Sequence, residues 1–217
     1  MKRLLIAIDG PSGAGKTTVS RMLADRLNYK YIDTGALYRG VALAALSADV
    51  ASDDDKALAN LCNQLHMTFL DTKNGLRLLA NGTDITDRIR TPEVSMFASA
   101  ASARPVVRRY LLGLQRDMGK EKCAVFEGRD MGTVVFPDAD VKFYLDASHK
   151  IRARRRYNEL KSITPQTLEA VERDMKSRDE NDSTRDLAPL KPAEDAIIID
   201  STHLSAEEVI DKMLSHI

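Results

Sequence analysis

The chain begins with an apolar run that passes through a glycine-rich loop into a helical pattern. Residues 3–8 are apolar almost without interruption, which predicts a fully buried strand rather than one with a polar face. Within Gly15–Leu27 the apolar residues recur at helical spacing, at Val19, Met22, Leu23 and Leu27. The N-terminal segment is therefore predicted to form a strand, a loop and a helix.

Further apolar runs alternate with helical patterns along the rest of the chain. Short runs occur at Ala124–Phe126, Val141–Leu145 and Ala196–Ile199. Helical patterns cover Pro92–Asp117, His149–Leu160 and Pro165–Asp179. Buried strands that alternate with helices are typical of an α/β protein with a parallel sheet covered by helices on both faces.

Residues 66–86 depart from this alternation. Polar and apolar residues alternate there around Asn74-Gly75 and Asn81-Gly82, which are typical of tight hairpin turns. We expect a small antiparallel insert that rides on the main sheet. The acidic stretch Asp53–Asp55, which precedes this segment, is interpreted as a helix start or a solvated loop.

Composition narrows the function classes. The chain has 217 residues, which suits a single domain, and its 32 Lys and Arg balance 32 Asp and Glu. A general nucleic-acid-binding surface is therefore not expected, and any basic site must be local. Cys62 and Cys123 are interpreted as reduced thiols, and no apolar run is long enough to cross a membrane. We expect a cytoplasmic protein with no nucleic-acid or membrane partner.

The loop at residues 10–17 fits the pattern G-x-x-x-x-G-K-[ST], and it lies between the predicted strand and helix, where the pattern has meaning. Backbone N–H groups of such a loop surround a phosphate, the lysine reaches the outer phosphates, and the hydroxyl binds Mg²⁺. We predict that it binds a nucleoside triphosphate with Mg²⁺, the metal being bound by the Thr17 hydroxyl. The residues predicted to bind this nucleotide, which the resemblance described below implies to be ATP, are Gly10, Pro11, Ser12, Gly13, Ala14, Gly15, Lys16, Thr17 and Thr18.

The rest of the chain favours a kinase over a switch GTPase. The guanine-reading N-K-x-D and the D-x-x-G segment of such GTPases are both absent from the sequence. A kinase that acts on an anionic acceptor needs a second cationic pocket. In residues 33–40, "DTGALYRG", Asp33 or Thr34 can cap a helix, and Arg39 falls where it could bind an acceptor phosphate. A capped helix with a surface arginine is the alternative interpretation.

Three later segments add charged residues. Arg129 and Asp130 follow a predicted strand, at the sheet edge where open α/β sheets bind ligands, although a salt-bridged loop pair is also possible. Residues 149–160 place several basic side chains within two helical turns, which could form a lid over the phosphates. Arg152 and Arg156 lie four apart on one helical face and are favoured as the pair that points inward. The other basic residues, Lys150, Arg154 and Arg155, are expected to be solvated. Residues 177–190 place Arg178, Asp182 and Arg185 at helical steps, either toward a cleft or on a solvated helix end.

Taken together, these segments resemble the bacterial cytidylate kinases. The likeness runs from "IAIDGPSGAGKTT" through "YIDTGALYR", "EGRDMGTVVFPDADVKFYLDAS" and "RDENDSTRDLAPL" to "IIIDST". It implies a P-loop kinase with a five-stranded parallel sheet, helices on both faces and a short helical lid, acting as a monomer on ATP and CMP or dCMP. The implied divisions are a core of about residues 1–38, 104–149 and 166–217, an acceptor-binding region with the insert at about 39–103, and a lid at about 150–165.

The resemblance also implies roles for matching residues. Arg39 and Arg129 would bind the CMP phosphate. The cytosine edge would contact Ser99, Arg108 and Asp130, and the sugar and base would contact Asp182 and Arg185. Thr34, where other members carry serine, and Tyr38 complete the predicted substrate site. The predicted catalytic residues are Lys16, Arg129, Arg152, Arg156 and Arg178. Two rivals stay open: a kinase for a small anionic metabolite such as shikimate, and a nucleotide-dependent regulatory module without turnover.

Overall fold

The computed structural model describes residues 2–73, 75–161 and 166–217. The chain divides into two compact units, one formed by Met1–Ile32 with Glu121–Ile217 and the other by Asp33–Lys120. In chain order the elements are β1 (Leu5–Asp9), α1 (Lys16–Leu27), β2 (Lys30–Asp33), α2 (Thr34–Ser47), α3 (Asp55–Gln64), β3 (Met67–Thr72), β4 (Gly75–Ala80), β5 (Thr83–Asp84), α4 (Pro92–Ala101), α5 (Pro105–Gly119), β6 (Ala124–Gly128), β7 (Val141–Asp146), α6 (His149–Leu160), α7 (Leu168–Thr184), β8 (Ile197–Asp200) and α8 (Ala206–Leu214).

The first unit is built on a five-stranded parallel sheet with strand order β2-β6-β1-β7-β8. Every residue of β1 is buried, as the continuous apolar run predicts. Because β1 lies between β6 and β7, its carboxyl end at Asp9 is level with Gly128 on one side and Tyr144 on the other. The P-loop therefore begins at the centre of the sheet edge where ligands of open α/β proteins bind.

The second unit contains α2–α5 and a three-stranded antiparallel sheet with strand order β3-β4-β5. The predicted hairpin turn at Asn81-Gly82 is present, with φ of 49° and 78° as a two-residue turn of this kind requires. Within this unit Met67 and Leu78 are buried with Leu37 of α2, so that a helix covers the apolar side of the insert. Packing of the insert on the main sheet stays a prediction. Asn74 of the other predicted turn lies outside the described residues.

The helical pattern predicted over Pro92–Asp117 is two helices. α4 ends at Ala101 and α5 begins at Pro105, and Arg104 between them is extended, with φ −82° and ψ 125°. The pyrrolidine ring of a proline disfavours helical geometry at the residue before it, which explains the break. The helix predicted from Pro165 to Asp179 is observed as Leu168–Thr184, and Pro165 itself lies outside the described residues.

Other sequence predictions hold. The helix His149–Leu160 matches its predicted bounds, and Asp54 caps α3 by accepting a hydrogen bond from Ala57 N. Among the described residues, no helix combines the length and the apolar character that a membrane span needs.

Candidate active site

The loop between β1 and α1 runs so close to its neighbours that two of its positions, Gly10 and Gly13, have no room for a side chain. Gly10 has φ 148°, and a Cβ there would lie 2.0 Å from the backbone oxygen of Leu145. A Cβ on Gly13, which has φ 74°, would lie 2.7 Å from the backbone oxygen of Arg152. Glycine is therefore required at both positions, and the loop has the strand, loop and helix context that the phosphate-binding pattern needs.

Lys16, the first residue of α1, is almost fully buried and donates a hydrogen bond from Nζ to the backbone oxygen of Pro11 at 2.8 Å. Burial, followed by the positive charge of Arg129, lowers the pKa of Lys16 to about 7. Its surroundings therefore disfavour the charged ammonium, and a bound anion would reverse this effect.

Asp9, at the end of β1, holds the segment that follows β6. Its two carboxylate oxygens accept hydrogen bonds from the backbone N–H groups of Met131 and Gly132, both at 2.8 Å. These residues begin a π-helical turn, Met131–Val135, directly after Asp130. Burial raises the pKa of Asp9 to about 6, against the opposing effect of these two hydrogen bonds. Asp9 thus ties the segment carrying Arg129 and Asp130 to the start of the P-loop.

Thr17 and Glu127 bring two oxygen donors together beside the loop. The Thr17 hydroxyl donates to Glu127 Oε1 at 2.8 Å, and Glu127, at the end of β6, is buried. Mg²⁺ prefers oxygen ligands such as a hydroxyl and a carboxylate and keeps several waters, so this pair fits the ion. No cluster of three or more His, Cys, Asp and Glu residues suited to a metal ion occurs among the described residues, and an ion held here would rely on water and nucleotide oxygens as well.

A chain of ion pairs links β6 to α7. Arg129 Nε donates to Asp182 Oδ2 at 2.9 Å, and Arg185 lies 3.9 Å from Asp182 and 3.6 Å from Asp130. Burial would raise the pKa of Asp182, but the charge and hydrogen bond of Arg129 hold it below its usual value, with a further contribution from Arg178. Arg129 and Asp130 are each paired with a residue at the end of α7, Arg129 with Asp182 and Asp130 with Arg185.

Two arginines of α6 contact the phosphate loop from outside. Arg152 Nη1 donates to the backbone oxygen of Ser12 at 3.0 Å and to Asp179 Oδ2 at 2.6 Å, while its Nε donates to the backbone oxygen of Ala147. Arg155 Nη1 donates to the backbone oxygen of Ala14 at 3.2 Å and to Ser201 Oγ at 3.0 Å.

The prediction that Arg155 is solvated is therefore wrong. α6 presents residues three apart, Arg152 and Arg155, to the loop, whereas Arg156 forms an ion pair with Glu159 at 3.0 Å. Steps of three and of four both place side chains on one helical face, and packing decides which face is used. Arg154 and Lys150 are exposed, as predicted.

In the second unit the start of α2 organises the segment 33–40. Asp33, not Thr34, caps the helix: its Oδ1 accepts a hydrogen bond from Ala36 N at 3.0 Å. Its Oδ2 accepts one from Arg39 Nη2 at 2.8 Å. Thr34 is buried, and Tyr38 is half-buried.

Tyr38 and Arg108 meet in the same unit, with the guanidinium carbon 6.0 Å from the ring centroid. Arg108 also donates to the backbone oxygen of Ser102 at 3.3 Å. Ser99 Oγ is buried and has no hydrogen-bond partner among the described residues. Thr34, Tyr38, Arg39, Ser99 and Arg108 thus belong to the second unit, and all other predicted site residues belong to the first.

Sequence reasoning missed four polar residues of the first unit's site: Asp9, Glu127, Arg155 and Asp179. Asp9 and Glu127 carried a usable signal, because each is an acidic residue within or directly after an apolar run that predicts a buried strand. A buried carboxylate needs partners, which marks such a position as special. For Arg155 and Asp179 the sequence offers no comparable signal.

Comparisons with known proteins agree with this geometry. The family model described as "Cytidylate kinase" matches residues 6–217. A cytidylate kinase of Geobacter sulfurreducens is 56% identical over 217 residues, covering 98% of this chain and 91% of that protein. A cytidylate kinase of Geobacter sp. strain M21 is 52% identical over 211 residues, covering 97% and 91%.

Among solved structures, a gluconokinase of Sinorhizobium meliloti superposes with a TM-score of 0.51 at 12% identity, covering 98% of this chain and 90% of that one. Such a likeness shows the fold alone, and this fold is the predicted P-loop kinase fold. The family match over nearly the whole chain and the identity to curated relatives go further, and they show that this chain belongs to the cytidylate kinase family.

Proposed function

We propose that the residues described above transfer the γ-phosphoryl group of ATP to CMP or dCMP. The chain is a nucleoside monophosphate kinase of the cytidylate kinase family, and this membership, over residues 6–217, is the observation that carries the proposal. A regulatory module without turnover and a kinase for a small metabolite such as shikimate both fit that match less well.

On the donor side, the phosphates of ATP would be bound by the backbone N–H groups of residues 10–17 and by Lys16. The buried position of Lys16 supports this role, because an ammonium whose pKa is lowered by burial gains most from a bound polyanion. Mg²⁺ would be held by the Thr17 hydroxyl with Glu127 beside it, and it would neutralise charge on the phosphates. Thr18 follows in the first turn of α1, next to the same phosphates.

On the acceptor side, Arg39 and Arg129 would bind the phosphate of CMP. Ser99, Arg108 and Asp130 would contact the cytosine edge, and Asp182 and Arg185 would contact the sugar and base. Two observations support these roles. Asp182 holds both Arg129 and Arg185, so these guanidinium groups are oriented before substrate arrives. The buried hydroxyl of Ser99 lacks a partner among the described residues, and a nucleobase could supply one.

Phosphoryl transfer passes through an expanded and highly charged transition state, so positioning and cationic stabilisation supply most of the catalysis. Lys16, Arg129 and Arg178 are the cations proposed to act on the transferred group. The resemblance implies that Arg152 and Arg156 of the lid helix join them, although Arg156 is paired with Glu159 here. Arg152 contacts Ser12 and Asp179, so its proposed contribution is to hold the loop and the nucleotide phosphates together. Residues 162–165 of the predicted lid lie outside the described residues.

A coupled assay with ATP and Mg²⁺ tests the function. The panel contains CMP, dCMP, UMP, shikimate and no acceptor. We expect turnover on CMP and dCMP that far exceeds the rate without acceptor. No ATP consumption with any acceptor would favour the regulatory module without turnover, ATP consumption at the same rate without acceptor would indicate a simple ATPase, and turnover on shikimate would favour the small-metabolite kinase.

Asp130 is the proposed discriminator between cytosine and uracil, because its carboxylate can accept a hydrogen bond from the cytosine amine and meets a carbonyl in uracil. Asp130→Asn should therefore lower the preference for CMP over UMP, and an unchanged ratio of kcat/KM values would refute this role. A monomeric state and a cytoplasmic location remain predictions, which size-exclusion chromatography and cell fractionation would test.

A further inference from the structure

The carboxylate of Asp33 serves two different partners at the start of α2. Oδ1 accepts the hydrogen bond from Ala36 N that caps the helix, and Oδ2 accepts the hydrogen bond from Arg39 Nη2. Both side chains are largely buried, with exposed fractions of 13% for Asp33 and 21% for Arg39. One side chain thus determines both where α2 begins and where the guanidinium of Arg39 lies.

Arg39 depends on this contact, because Asp33 is its hydrogen-bond and ion-pair partner among the described residues. Its guanidinium lies back over the first turn of α2, and the exposed N–H groups at a helix N-terminus disfavour positive charge. Its Nε is buried and has no hydrogen-bond partner among the described residues. Asp33 therefore supplies the ion pair that keeps the guanidinium at the helix start.

Gly35 leaves the space in which this guanidinium lies. A Cβ at Gly35 would lie 3.0 Å from Arg39 Nη1 and 3.1 Å from Asp33 Oδ1. Gly35 does not have a positive φ, so its backbone conformation would accept any residue. Glycine costs helix stability relative to alanine, and its presence in this turn is explained by the room that Arg39 needs.

We propose that Asp33 and Gly35 are positioning residues that fix the guanidinium of Arg39 for the phosphate of the acceptor nucleotide. The inference rests on the proposed function, in which Arg39 binds the phosphate of CMP. Asp33 would act through Arg39 and not by contact with the nucleotide.

Asp33→Asn separates the two tasks of the carboxylate. Asparagine is as good a helix cap as aspartate, and its Oδ1 can still accept from Ala36 N. Its amide, however, would face Arg39 Nη2 with a second donor, so the ion pair is lost. We expect the KM for CMP to rise about tenfold with kcat within about threefold of the wild type, the pattern of lost ground-state binding. The KM for ATP should not change.

Asp54→Asn is the matched control. Asp54 caps α3 through the same kind of hydrogen bond, from Ala57 N to Oδ1 at 2.9 Å, and it pairs with no arginine among the described contacts. This variant should keep the KM of the wild type and, because it loses no ion pair, should be at least as stable as Asp33→Asn. A KM for CMP that stays constant or falls in Asp33→Asn would overturn the proposal, because the carboxylate would then only neutralise Arg39.

Gly35→Ala tests whether the guanidinium of Arg39 needs the space that Gly35 leaves. The Cβ of alanine would meet the ends of two side chains, Arg39 Nη1 and Asp33 Oδ1, while alanine has the higher helix propensity, so the melting temperature should stay close to that of the wild type. The guanidinium should be displaced and the KM for CMP should rise. Gly113→Ala is the control, because Gly113 lies within α5 and a Cβ there would meet nothing within 4 Å. If Gly113→Ala and Gly35→Ala are both stabilised and both keep the wild-type KM for CMP, the role of Gly35 is refuted.

Arg39→Ala distinguishes failure of this inference from failure of the proposed function. If Arg39→Ala leaves the KM for CMP unchanged, the assignment of Arg39 to the acceptor phosphate is wrong. If Arg39→Ala raises it and Asp33→Asn does not, only the positioning role is wrong. In the Arg39→Ala background, Asp33→Asn and Gly35→Ala should have no further effect on KM, whereas a merely structural role would persist.

Discussion

Replacing Lys16 by methionine should stabilise the ligand-free protein while it abolishes kinase activity. Lys16 is buried beside Arg129, and burial together with that charge lowers its pKa from 10.5 to about 7. At about 1.36 kcal/mol per pKa unit, this shift corresponds to about 5 kcal/mol of disfavoured charge. The hydrogen bond to Pro11 would be lost at a cost of about 1 kcal/mol, and Glu127 and Asp9 would lose a favourable neighbour. We expect a net gain of about 1 to 3 kcal/mol in the free energy of unfolding.

Urea unfolding monitored by circular dichroism would measure this gain, and Lys142→Met is the matched control. Lys142 has the same exposed fraction as Lys16, 7%, but its Nζ lies 2.8 Å from Asp195 and donates to the backbone oxygen of Pro137. Its replacement should destabilise the protein. If Lys16→Met were no more stable than the wild type, the claim that burial and Arg129 disfavour the charge of Lys16 would be refuted.

The pH dependence gives this prediction a second signature. Between about pH 7 and 10.5, Lys16 is deprotonated in the folded protein and still protonated in the unfolded chain. The unfolded state then binds more protons, so the contribution of Lys16 to stability rises with pH in this window. The advantage of Lys16→Met over the wild type should therefore shrink from pH 7 to pH 10, and an advantage that does not depend on pH would contradict this explanation.

Three further predictions concern nucleotide binding by Lys16, the backbone at Gly10 and the cap of α8. ATP binding at pH 8 should be accompanied by proton uptake, because the bound phosphates raise the pKa of Lys16 back toward its ordinary value. Calorimetry in buffers of different ionisation enthalpy would measure this uptake. The absence of proton uptake would argue against a neutral Lys16 in the free protein. Gly10→Ala should prevent stable folding, because its Cβ would lie 2.0 Å from the backbone oxygen of Leu145; a soluble variant with the melting temperature of the wild type would refute this. Ser205→Ala removes the capping box that Ser205 forms with Glu208 and should cost about 1 kcal/mol of stability without a change in KM, as thermal unfolding and the coupled assay would show.

Local patterns in the sequence were sufficient for most of the fold. The continuous apolar run predicts the buried strand β1, and the glycine-rich loop with Lys16 after it predicts the phosphate-binding context, because both depend on neighbours along the chain. The turn residues Asn81 and Gly82 predict the hairpin for the same reason, since a turn is decided by the φ preferences of its own residues. The break before Pro105 follows an equally local rule, which the longer helical pattern masked.

Contacts between distant segments could not be obtained in this way. The helical spacing of α6 is compatible with either Arg155 or Arg156 beside the phosphate loop, and only the packing of α6 brings Arg155 to Ala14 and Ser201. The sequence likewise leaves open which acid pairs with Arg129. The answer, Asp182, lies 53 residues away and is brought near by α7.

By itself, the sequence therefore determined the order of strands and helices, the P-loop and the family to which the chain belongs, because periodicity, turn preferences and motifs are written in consecutive residues. The tertiary structure alone decided the partners of the charged side chains: Asp33 with Arg39, Arg129 with Asp182, and Asp9 with the backbone after Asp130. The physical reason is that the energy of a buried charge depends on the groups around it in space, and a linear pattern does not specify those groups.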